Sequence, residues 1–363
     1  MKTVKLILTI SILALMTSCG AYYRMVTTLG SNGKVYRELY ALGDSAFMAG
    51  DTSHHPFLFE PSPDWNINRY DSAFTYDFFG NEGKLNVKIS KATNSIENYS
   101  KNIRRDTDKI SFAAPEESLL KKTGWFYTNY SLKVIYKKIT YDVPIPVDDY
   151  LNKEEQILWT QGGLCNYKVM NGIEMNDYLS EINDKFLKWY GRNLFEFSLK
   201  AIKNLAGNQD LDRDKENIYK KWTHSVKLDT IDVNPETVCT ALDSFYKTSY
   251  FSKLYNANHE TLDSNFNQQS SIANINSVVG NVISYELVIP GKLLQTNAPV
   301  HHSDTLIWKI DGIRLLFDDY SLDAEYRVVN QWVFLSSGLL VIVSIVSVAI
   351  LIKRRRSNVI ETL

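Results

Sequence analysis

No G-x-S-x-G elbow, Walker loop, G-x-G-x-x-G turn or H-E-x-x-H helix occurs in the 363 residues. The usual sequence signatures of acyl transfer, nucleotide binding and zinc proteolysis are therefore missing. Net charge is nearly missing too, with 40 basic residues against 41 acidic ones. Setting aside Lys2 and Lys5 at the start, and Lys353, Arg354, Arg355, Arg356 and Glu361 at the end, leaves 34 basic and 40 acidic residues, a net of −6. That balance offers no basic footprint for nucleic acid or for an anionic lipid surface. Long apolar runs are absent from the middle of the chain, which makes the two at its ends informative.

Residues 332–352 are all apolar or small, and Lys353, Arg354, Arg355 and Arg356 follow at once. At a rise of ~1.5 Å per residue such a run is roughly 31 Å long, the hydrocarbon thickness of a bilayer. It reads as a transmembrane helix with a cytoplasmic basic tail (353–363) and with Trp332 at the opposite interface. Everything before it is then extracytoplasmic. Within the run Ser336, Leu340, Ser344 and Ser347 share one face, a small-residue stripe suited to helix–helix self-association.

At the other end, Lys2 and Lys5 precede an apolar stretch over residues 6–16, too short to span a bilayer, and then Thr17-Ser18-Cys19. This is a signal peptide over 1–18. Met16-Thr17-Ser18-Cys19 resembles a bacterial lipobox. The resemblance implies diacylation of Cys19 on its sulfur and a mature chain that begins there, anchored at both ends to the outer face of one cytoplasmic membrane. Cys165 and Cys239 remain. Outside the cytoplasm a disulfide and two buried thiols are equally open readings.

Hydrophobic period divides the rest. Over 19–147 it is two. A hairpin runs over residues 25–29 and 35–40, and alternating strands follow through Phe74, Tyr76 and Phe78, through Leu85, Val87 and Ile89, and through Tyr130, Leu132, Val134 and Tyr136. Short helices are expected near 95–103 and 116–122. Over 148–280 the period is helical: a capping box at Asn152 and Glu155, a long stripe from Leu179 to Leu205 with a kink expected at Gly191, and an Asn234-Pro235 start. Residues 256–276, rich in Asn, Ser and Gln, read as a connector or lid. Over 281–330 the period returns to two. The expected fold is α+β: one antiparallel sheet begun by the N-terminal strands and completed by the C-terminal ones, with the helical segment inserted between them.

The lipobox, the early hairpin, the Val288-Ile289-Pro290-Gly291 strand end, the Asp304-Thr305-Leu306-Ile307-Trp308-Lys309-Ile310 strand and the final helix with a basic tail together resemble the LppM-type envelope lipoproteins. The likeness covers about a third of the chain and omits the helical insert. It implies an α+β domain held at a bacterial membrane, with a lipid as one class of ligand, and it carries no catalytic residue across.

Asp210, Asp212 and Asp214 begin like a calcium loop, but Lys215 and Lys221 occupy the places that need glycine and a bidentate Glu. They read as a solvated loop. His54-His55 and His301-His302 are adjacent pairs that point to opposite faces of an extended chain, a poor chelate. Glu116-Glu117, Asp148-Asp149, Glu154-Glu155 and Asp318-Asp319 fall at expected helix starts or turns, where macrodipole and solvent account for them. No catalytic residue, metal site or cofactor is therefore assigned. The expected function is a binding or structural module for a lipid or a neighbouring envelope protein, the alternative a metal-dependent or acid/base hydrolase. The expected ligand face is the aromatic set Phe74, Tyr76, Phe78, Tyr130, Tyr136, Trp308, Tyr320 and Tyr326.

Overall fold

The computed structural model describes residues 21–53, 55–101, 114–162, 170–207, 210–225, 233–269 and 280–360. The chain is α+β, but it builds two sheets where one was expected. The larger combines β1 (Tyr22–Leu29), β2 (Val35–Ala41), β3 (Asn66–Asp77), β4 (Glu82–Thr93), β7 (Val282–Val288), β9 (Val300–His302) and β10 (Thr305–Asp311) in the order β3-β4-β2-β1-β7-β10-β9. The smaller combines β5 (Glu116–Thr123), β6 (Tyr127–Tyr136), β8 (Lys292–Thr296) and β11 (Tyr320–Val329) in the order β5-β6-β11-β8. N-terminal and C-terminal strands do meet, once in each sheet: β1 beside β7 and β6 beside β11. The β1–β7 pair is parallel, the others antiparallel.

The sheets pack face to face. A single apolar cluster takes Met25, Leu39, Ile89, Tyr285 and Trp308 from the larger sheet and Tyr130, Leu132, Tyr136, Leu322 and Tyr326 from the smaller. Period-two alternation could not reveal this division, because each strand reports only that one of its faces is buried and not against what.

The segment 116–122 is a strand, not a helix. Its Glu117 points into the core while Leu120 is 71% exposed, so polarity is reversed along β5 and the alternation is hidden. β5 belongs to the sheet through its ladder with β6, where Glu117 faces Val134 and Leu119 faces Leu132.

Helices α1 (Ser45–Met48) and α2 (Glu97–Lys101) are short. A second core is formed by α3 (Lys153–Gln161), α4 (Gly172–Ala206), α5 (Asp210–Ser225), α6 (Pro235–Tyr246) and α7 (Tyr250–Gln269). The cap at Asn152 is the expected one, and a further one stands at Asn171. Asn152 with Glu155 and Asn171 with Glu174 form reciprocal boxes, and Gly162 and Gly207 end their helices in the left-handed conformation. α4 passes through Gly191 without a kink, since Gly191 is buried among its neighbours. The bend lies instead at Asn258 in α7, whose backbone leaves the helical region and whose side chain bonds the Leu254 carbonyl.

α7 also overturns the lid reading for residues 256–269. Its polar surface misled, but Phe251 and Leu262 are buried and Phe266 packs on the same core; residues 270–276 lie outside those described. Asp212 and Asp214 likewise sit in the first turns of α5 rather than in a loop. The β10–β11 connection joins the two cores: Leu316 and Phe317 enter the helical one, where Phe317 meets Trp159, Phe186 and Trp189.

The last helix, α8 (Gln331–Ile360), contains one stretch, Gln331–Leu351, long and apolar enough to cross a membrane, and almost all of it is exposed.

Candidate functional site at the foot of the smaller sheet

Of the eight aromatic residues expected to line a ligand face, six are buried: Phe78, Tyr130, Tyr136, Trp308, Tyr320 and Tyr326. They do not share a surface. Tyr130, Tyr136, Tyr320 and Tyr326 belong to the smaller sheet and Trp308 to the larger, and all five lie in the core between them. Tyr130 and Tyr326, directly opposite on β6 and β11, stack at 5.0 Å. Phe74, Tyr76 and Phe78 form a separate group. Tyr76 donates to Glu286 at 2.6 Å, beside the Arg24–Glu286 ion pair, and Phe74 packs edge-on to Tyr40. The second sheet covers what a single sheet would have left open.

The inter-sheet core does hold polar chemistry. Arg37 of β2 reaches across to Glu117 of β5 with two hydrogen bonds of 3.0 and 2.5 Å, and its Nε donates to Thr27 at 3.0 Å. Tyr99 lies under the guanidinium at 4.4 Å. Burial raises the Glu117 pKa above the ordinary carboxylate range, and the adjacent Arg37 charge opposes that shift. Burial alone would lower the Arg37 pKa, but Glu117 outweighs it and keeps the guanidinium charged. The space beside this pair is about 10 Å³, on the order of one water. Nothing of substrate size reaches these groups, so they act as a strut between the sheets. The hydroxyls of Tyr136 and Tyr326 are buried in the same core without a partner among the described residues.

Open space lies elsewhere, where β11 runs into α8. A groove of about 380 Å³ is lined by Tyr127, Pro290, Gly291, Lys292, Arg327 and Val328, among others. Gly291 shapes it: a Cβ there would collide with the Arg327 carbonyl, so only glycine lets the start of β8 pass this close to β11. The Arg327 guanidinium lies over the Tyr127 ring at 4.7 Å, and its buried Nε has no partner among the described residues.

Beside the groove is the β5–β6 hairpin tip, Gly124-Trp125-Phe126, closed by a Gly124 N–H to Tyr127 carbonyl bond of 2.9 Å. Asn330 ties the tip to α8. Its side chain donates to the carbonyls of Gly124 and Trp125 at 2.9 and 3.1 Å and accepts from Thr128 at 2.8 Å. Its backbone N–H donates to the Phe126 carbonyl at 2.9 Å. The rings continue the joint, Trp125 against Trp332 at 6.0 Å and Phe126 against Phe334 at 5.7 Å. The sequence does not disclose this tip, because the expected helix over 116–122 ends just before it. The signal was the adjacent exposed-type pair Trp125-Phe126 between Gly124 and a clean alternating strand.

Cys239 is buried in the helical core, and burial pushes its thiol up to about 12. Cys165, Cys19 and His54 lie outside the described residues. His301 bonds the Ser303 carbonyl at 2.7 Å on an exposed strand. No group of three or more His, Cys, Asp or Glu lies together as a metal site among the described residues. Ser336, Ser344 and Ser347 each bond a carbonyl of their own helix.

No family model matches the chain, and no curated protein matches it. Among solved structures it is similar to the NMR structure of the folded domain of LppM from Mycobacterium tuberculosis, at 8% identity, over 85% of this chain and 91% of that one, with a TM-score of 0.27.

Proposed function

We propose that this chain is a membrane-tethered envelope module: a non-catalytic α+β domain held outside the cytoplasm by α8 and by a lipidated Cys19. It binds a lipid or a neighbouring envelope protein near the membrane. The observation that supports this is α8 itself. Val341, Ile342, Val343, Ile345 and Leu351 are each at least half exposed, and no other described element packs on that part of the helix. Leaving such side chains in water forgoes about 1.5–3 kcal/mol apiece, which a bilayer recovers.

A cytoplasm-specific reporter fused after Leu363 is expected to be active, and the same reporter inserted at 270–276 inactive. Intact mass of the mature protein is expected to show cleavage before Cys19 and an added diacylglyceryl group, both lost in Cys19→Ala. A reversed reporter pattern, or a mature chain that starts beyond Cys19 without lipid, overturns the corresponding anchor.

A further inference from the structure

We propose that the β5–β6 hairpin tip is a membrane anchor in its own right: Trp125 and Phe126 enter the interfacial layer of the bilayer that α8 crosses. The domain then stands on that leaflet in one orientation. The inference rests on reading α8 as membrane-spanning and adds a second point of insertion that the helix alone does not require.

Depth supplies the first argument. Phe334 lies two residues beyond Trp332, about 3 Å further along the helix axis. The Phe126 ring is 5.7 Å from Phe334 and the Trp125 ring 6.0 Å from Trp332. Wherever Trp332 meets the interface, the Trp125 ring is within 6.0 Å of its depth, and the Phe126 ring is within 5.7 Å of that of Phe334. A bilayer whose interfacial layer holds Trp332 and Phe334 therefore has both tip rings within reach.

Rigidity supplies the second. A tip on a flexible stalk could swing away from the lipid, but the four hydrogen bonds of Asn330 hold the tip against the first turn of α8. Val333, in that turn, is completely buried. Strand, hairpin and helix form one joint with no linker between them.

The side chains supply the third. No aromatic residue within the strands is more than 41% exposed, whereas Trp125 is 61% and Phe126 47% exposed, next to Trp332 at 57%. Above them the ladder places a row of four residues, three of them cations. Lys122 pairs with Asn129, Asn129 with Arg327, and Arg327 with Lys292, one residue from each of the four strands on a common face. That row is two residues above the Tyr127–Val329 pair, about 7 Å along the strands. Aromatic rings at the acyl boundary with cations one tier outward, at phosphate height, is the vertical order of an interfacial anchor. A net charge of −6 over the whole extracytoplasmic part conceals this local row, because its members are brought together only by strand register.

The test uses the full chain in phosphatidylglycerol/phosphatidylcholine nanodiscs, with a benzophenone amino acid placed singly at position 126, 340 or 173. Position 173 replaces an exposed residue at the start of α4, and none of the three is packed in a core. Ultraviolet irradiation followed by intact mass reads lipid adducts. Adducts are expected at 126 and 340 and not at 173. Adducts at 340 without any at 126 overturn the tip's insertion while leaving the transmembrane reading in place. Absence at both 126 and 340 overturns the two together. Adducts at 173 equal to those at 126 overturn the inference, and so does a crosslinked dimer from 126 in place of lipid, which would assign the tip to a second copy of the chain.

Discussion

At the residue scale the most consequential contact is the Arg37–Glu117 pair, since it is the ionic link between the sheets in an otherwise apolar layer. Two charges withdrawn from water are tolerable only together. Arg37→Met alone strands a buried carboxylate and is expected to cost about 3–5 kcal/mol. Adding Glu117→Leu removes the stranded charge, so the double variant is expected to be more stable than either single one, as read from urea midpoints. The same layer sets an alkaline limit. Burial raises the phenols of Tyr23 and Tyr285 to about 12. An unfolded chain releases these protons near pH 10, so between about pH 10 and 12 the folded state holds more protons and stability falls as pH rises. Each such tyrosine contributes a slope of about 1.4 kcal/mol per pH unit. Their contribution is fully present below pH ~10 and lost through ~12. The part of the phenolate absorbance owed to these two rings, read as the difference from the Tyr23→Phe/Tyr285→Phe double variant, should therefore rise together with the loss of circular dichroism, not before it.

At the element scale the hairpin–helix joint decides how the domain meets its tether. Asn330→Ala deletes three side-chain hydrogen bonds while leaving the strands intact. Amide exchange at 124–128 is expected to accelerate by at least tenfold, the ratio that corresponds to about 1.4 kcal/mol of local opening, with little change in β7 or β10. Unchanged exchange would mean that ring contacts alone hold the tip. These elements also show what the sequence could and could not disclose. The caps at Asn152 and Asn234, the long amphipathic α4 and the apolar α8 are legible because their signals are local. β5 was not, because an inward Glu117 and an outward Leu120 make sense only once Arg37 is known to stand opposite. The two-sheet division, the Asn330 joint and the cation row depend on partners far apart in the chain: Lys122 and Arg327 become neighbours only through β6. The aromatic residues were correctly seen as alternating, but alternation is satisfied equally by an open face and by a covered one.

At the scale of the whole molecule, the parallel β1–β7 ladder places Tyr22 against Val282. A chain ended at residue 280 has every helix of the second core but lacks β7, β10, β11 and the Phe317 plug. It is expected to keep helical circular dichroism, to lose the cooperative transition of the sheets, and to aggregate through the open edge of β1. A soluble, cooperatively unfolding fragment would show that β1 does not need its distant neighbour. The same ladder has a meaning in time. At roughly 5–20 residues per second, synthesis needs about 13–50 s to reach β7 after β1 has been made. For that interval the first hairpin waits with one long apolar edge unpaired, and a transient guardian of nascent chains would have its target there. The last strands and then α8 follow directly, so completing the sheet and releasing the long apolar helix become two beats of one late event. If the foot stands on a bilayer as proposed, the domain is finished only as the bilayer takes hold of it.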